Sequence, residues 1–98
     1  MTGEKDESLR ELVSRLGLPA RGWIVVDHWV DDVCALGIAR RDAPRVLVYV
    51  SSGATPAGRF DYQCEVPNGP EPEDFQTVAS GEEVAFEELL EALEKHLG

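Results

Sequence analysis

Residues 59–66 read RFDYQCEV, and their alternation decides the fold. Phe60, Tyr62, Cys64 and Val66 fall on one side of an extended chain, and Asp61, Gln63 and Glu65 on the other. Successive side chains of a strand point to opposite faces, so this segment is a strand with one buried and one wet face. A sheet that tolerates water on one side is antiparallel. Its apolar side needs a cover, and the segments at the two ends of the chain can supply it.

Upstream, residues 45–51 (RVLVYVS) read as another strand, apolar on both faces, and 51–58 (SSGATPAG) as the loop of small residues between the two. That loop lacks the G-x-x-x-x-G-K-[ST] spacing of a phosphate cradle and joins two strands, so it is a hairpin loop. Residues 41–44 (RDAP) form a turn of hairpin length. Residues 33–40 make a strand with Cys34, Leu36 and Ile38 on one face. Ala35, Gly37 and Ala39 line its other face, small enough to admit a bulky neighbour. Residues 23–30 are rich in β-branched and aromatic side chains and form the first strand, which Asp31-Asp32 ends. Before it, Leu9, Leu12, Val13 and Leu16 recur at helical spacing, and Gly17 with Pro19 stops that helix.

Downstream, 67–74 (PNGPEPED) is an irregular loop, and 75–79 is a short fifth strand with the faintest pattern of the set. Phe86, Leu89, Leu90, Leu93 and Leu97 mark a C-terminal amphipathic helix. Its start has two readings. Ser80 and Glu83 can form a capping box, with helix from about Glu83, or the fifth strand can run on to Val84 with helix near Ala85. The first is preferred. Short connections imply antiparallel neighbours. The expected fold is therefore α+β: a two-layer sandwich, an antiparallel meander of four to five strands, with the N-terminal and C-terminal helices on one face.

The 98 residues are sized for a single domain, and 43% hydrophobic with 29% charged residues is globular rather than disordered composition. No apolar run approaches the ~20 residues of a spanning helix. The first residues are polar and acidic, unlike a signal peptide, so the expected compartment is the cytoplasm. Net charge is −10, and it is uneven: residues 1–45 hold eight acids and seven bases, residues 46–98 eleven acids and two bases, Arg59 and Lys95. Such a surface repels phosphate backbones and anionic lipid, which argues against nucleic acid and membrane and for a basic partner protein or a cation. Cys34 and Cys64 lie in apolar stretches and lack C-x-x-C spacing, so free packing thiols are expected ahead of a disulfide or a zinc site.

The densest polar cluster is Asp27-His28-Trp29-Val30-Asp31-Asp32. Strand alternation puts Asp27 with Asp31 and His28 with Asp32, two ligand types per face, which is short of a metal site. Asp27, Trp29, Asp31 and Asp32 read instead as a strand end and turn, or as a contact patch anchored by Trp29. Nucleophilic catalysis has little support. The histidines are His28 and His96, and Cys64 points to an apolar face. No cofactor is indicated. On the C-terminal helix Glu83, Glu87, Glu91 and Glu94 align, with Glu88 beside them and Lys95 as the local counter-charge. Asp61 and Glu65 add to the acidic surface. This surface is either simply solvated or a docking face for a basic partner. The partner-binding candidates are Asp27, Trp29, Asp31, Asp32, Asp61, Glu65, Glu87, Glu91 and Glu94.

The run VVDHW (25–29), an acidic turn, CALGIA (34–39), LVYVSS (47–52), FDYQCEV (60–66) and a helix ending in His-Leu resembles small immunity proteins of bacterial polymorphic toxin systems of the contact-dependent inhibition type. The resemblance implies an α+β protein without catalysis that occludes a basic toxin domain, and it carries over no particular contact residue. The alternatives are a small-ligand or divalent-metal module, using Gly37 and Ala39 or the Asp27, His28, Asp31 and Asp32 cluster, and a small bacterial domain with no separable activity.

Overall fold

Two glycines in the left-handed region, Gly17 (φ 59°) and Gly22 (φ 73°), cut the first third of the chain into its elements. Side chains resist that conformation and glycine does not. In the computed structural model, which describes residues 7–26, 33–52, 58–71 and 74–98, helix α1 spans Glu7–Leu16 and the one-turn helix α2 spans Leu18–Arg21. The strands are β1 (Trp23–Val26), β2 (Ala35–Arg40), β3 (Ala43–Ser51), β4 (Arg59–Pro67) and β5 (Phe75–Ala85), and α3 (Phe86–Leu97) closes the chain. The five strands pair in sequence order, every pair antiparallel. The meander and its two covering helices are as the sequence implied.

Register shows which face carries the core. Leu36 pairs with Val50, and Ile38 with Val48, which pairs in turn with Cys64. These side chains share one apolar cluster with Leu9, Leu12 and Leu16 of α1, Leu18 of α2, and Leu89, Leu93 and Leu97 of α3. All the helices therefore lie on the same face of the sheet. Leu9, Leu89 and Leu93 are fully buried, and each side chain so placed contributes ~1.5–3 kcal/mol of transfer free energy.

Several boundaries differ from expectation, each for a local reason. β2 begins at Ala35 rather than residue 33, because Val33 and Cys34 belong to a turn. The 41–44 turn tightens to Arg41-Asp42, and β3 starts at Ala43 across an irregularity beside Arg40. Pro44 falls within that irregularity, where its missing N–H deprives no ladder partner. Residues 27–32, the end of the expected first strand and its acidic turn, lie outside the described residues. The small-residue face of β2 is not open: Ala35, Gly37 and Ala39 are buried, alongside Leu47.

The largest correction is at the start of α3. Ser80 and Glu83 do not cap a helix, because β5 runs through them to Ala85 and the N-cap Ala85 offers no side-chain bond. Tertiary pairing wins over the helical propensity of Glu82-Glu83. Val84 is buried opposite Phe60, which holds the strand to its end. Between them, Asp61 faces two residues of β5, and the extra one is Glu83 at φ 50°. The Glu83 amide donates to the Asp61 carboxylate at 2.9 Å, which ties down the bulge. Gly81 lies directly under the Tyr62 ring, where a Cβ would collide with it.

Candidate functional site

At about 100° per residue, α3 sets Glu87 and Glu94 nearly in line, Glu88 well round the helix from them, and Glu91 between. Leu89, Leu93 and Leu97 point to the sheet. Glu87 and Glu94, seven residues apart, share the flank toward α2, where Arg21 donates from Nη1 to Glu94 Oε2 at 2.9 Å. Arg21 is itself held by a 2.7 Å bond from Nε to the Leu16 carbonyl and lies over the Trp23 ring. So Glu94 has a counter-charge from a distant segment, not only from Lys95. Arg15 caps the same flank, its guanidinium 3.8 Å from the centre of the Phe86 ring.

Glu88 lies on the side toward β5, and Glu91, on the outward face, reaches the same side. With Ala92 and Lys95 they form a stripe at i, i+3, i+4 and i+7, and this stripe is one wall of a groove of about 520 Å³ between α3 and the outer strands. Tyr62, Cys64 and Ala79 make the floor, Val78 the lip, and His96 the far end. Val78 is 53% exposed and sits at the register shift opposite Cys64 and Glu65, an apolar side chain held out at the rim. His96 Nε2 lies 3.0 Å from the Glu65 carbonyl at the same shift.

Asp61 and Glu65 do not extend this acidic surface. Strand alternation places them on the outward face of the sheet, opposite the helices. Asp61 is engaged by the Glu83 amide. Glu83, expected on the helix stripe, belongs to β5. Of the expected stripe, Glu91 faces the groove while Glu87 and Glu94 face away, and Asp27, His28, Trp29, Asp31 and Asp32 lie outside the described residues. Sequence reasoning missed the groove itself. The signal was present in the 88, 91, 92, 95 spacing with a small residue in its middle, but the opposing side, Tyr62, Cys64, Val78 and Ala79, is brought beside it only by the packing of α3 on the sheet.

Cys34 and Cys64 are not joined in a disulfide. Burial pushes the Cys64 thiol above its ordinary pKa, the opposite of what activates a thiolate. Gly37 and Ala39, the residues of the alternative ligand site, are buried. Arg21, Arg40 and Arg41 gather with Trp23 around a second cavity of about 410 Å³ near the C-terminus, where Arg40 is paired with Asp42 at 3.2 Å. No helix among the described residues is long and apolar enough to cross a membrane. No protein-family model, curated protein or solved structure matches this chain.

Proposed function

We propose that this chain is a non-catalytic interaction protein that binds a basic partner, in the manner of an immunity-type inhibitor of a basic bacterial toxin domain. The observation that supports this reading best is the placement of Glu88 and Glu91 on an accessible apolar groove, within a half of the chain that carries net −9. A −10 surface draws a cationic protein in and orients it before contact. The cytoplasm is the compartment this role requires.

Affinity capture from the native host, followed by stopped-flow association of the recovered partner, tests the reading. A partner of high isoelectric point, associating at least ~10-fold faster at 20 mM than at 300 mM salt, is the expected result. Recovery of neutral or acidic partners alone, or association indifferent to salt, overturns it.

A further inference from the structure

The α3–β5 groove exists because its lining is small where it could have been large. Ala92 on the helix, Cys64 on β4 and Ala79 on β5 leave space that bulkier side chains would fill. The floor is apolar and aromatic, and one wall carries Glu88 and Glu91, both exposed, with Lys95 one turn beyond Glu91, so the excess on that wall is a single negative charge at its Glu88 end. An apolar ligand would strip water from these carboxylates without replacing it, and an anion would meet two carboxylates against the one ammonium of Lys95. A cation on an apolar stem satisfies both surfaces.

The alternative use of this region, addition of a strand to the outer edge of β5, the last strand of the sheet among the described residues, is blunted by the structure. Register shifts beside Val78 and at Glu82-Glu83 interrupt the row of backbone groups an added strand would need. Recognition therefore falls to side chains entering the groove from above.

We propose that the groove receives an arginine side chain of the basic partner, its stem against Val78 and Ala92, its planar head between the Tyr62 ring and the Glu88 and Glu91 carboxylates. This rests on the basic-partner reading above. Arginine suits the site because it stacks on aromatic faces and bonds carboxylates through a fixed fork of donors. Lysine, a hydrated point charge, uses only the carboxylates.

The probe is the capped tripeptide acetyl-Leu-Arg-Leu-amide, titrated into the ¹⁵N-labelled chain and read by amide chemical shifts, with acetyl-Leu-Glu-Leu-amide as control. The expected shifts are confined to the groove, around Tyr62, Val78, Ala79, Glu91 and Ala92. The double variant Glu88→Gln with Glu91→Gln weakens binding about tenfold. Ala92→Trp, which fills the space without altering charge, abolishes it while the thermal unfolding midpoint stays near wild type. If that variant unfolds, Ala79→Leu serves in its place. Shifts mapping elsewhere, or affinity unchanged by both sets of variants, overturn the groove assignment and leave the basic-partner reading standing. An arginine peptide that binds here while the host partner proves acidic removes the functional reading and keeps the groove. Concentration-dependent shifts at these residues without peptide, with a dimer in sedimentation equilibrium, show a second copy in the groove and overturn the proposal.

Discussion

Glu83 occupies the left-handed region at φ 50°, the single non-glycine described residue to do so. An L side chain there costs roughly 1 kcal/mol, because its Cβ crowds the following carbonyl. The bulge that needs this conformation is set by Asp61, which accepts the Glu83 amide. Replacing Glu83 with Gly keeps the amide and relieves the crowding, so Glu83→Gly stabilises the fold by about 0.5–1 kcal/mol in urea unfolding. Asp61→Ala, which orphans the amide, lowers stability by a comparable amount. Cys64 supplies a test of a different kind. Its pKa is raised in the folded state by burial, so the unfolded chain loses that proton first. The resulting stabilisation is complete below the ordinary thiol pKa and is lost as pH climbs through it toward the raised value. Stability between pH 7 and pH 10 falls more steeply for the wild type than for Cys64→Ala. Iodoacetamide labels the half-buried Cys34 faster than Cys64.

At the scale of elements, α3 has three distinct faces, and each responds to substitution in its own way. Leu93 is fully buried against the sheet, and Leu93→Ala costs about 2–5 kcal/mol, from lost transfer energy and the cavity left behind. Glu94 and Arg21 form an exposed pair at 2.9 Å. Glu94→Gln therefore costs at most ~1 kcal/mol, since water and salt screen such pairs. Glu87 repels Glu91 four residues on but also sits in the first turn of α3, where the helix dipole favours an acid, so the two effects oppose and Glu87→Gln changes stability by no more than about 0.5 kcal/mol. A thermal unfolding series of the three variants separates the faces: one large loss, one small loss, one near null. A helix turned 100° from its described phase would exchange the roles of Leu93 and Glu94.

For the whole molecule, the governing quantity is a charge of −10 spread over an accessible surface of 5772 Å². The area is close to the ~5,500 Å² expected of a folded chain of this mass, so the charge is not diluted by an extended shape. Self-repulsion opposes the folded state most strongly at low ionic strength, where the Debye length is ~30 Å at 10 mM and spans the molecule. Raising NaCl to 150 mM shortens it to ~8 Å and raises the thermal midpoint by several degrees, before any Hofmeister effect enters. A midpoint that falls over this range would mean that the attractive pairs, Arg21–Glu94 and Arg40–Asp42 among them, outweigh the repulsion.

The alternation of RFDYQCEV, the leucine spacing of both long helices and the brevity of the connections determined the meander and its helical layer without any tertiary information. Local patterns suffice there because burying one face of a strand or helix is a requirement that every neighbour shares. The end of β5 was decided only in three dimensions. Ser80 to Glu83 satisfies a helix-cap pattern as well as a strand, and the choice falls to Val84 meeting Phe60 and to Asp61 holding Glu83, contacts more than twenty residues apart in sequence. The separation of the α3 acids is of the same kind. One stripe in the sequence meets two neighbours in the molecule, because Arg21 arrives beside Glu94 while β5 arrives beside Glu88 and Glu91. Charge spacing is a property of the helix alone, but what each charge faces is set by the segments that pack against it.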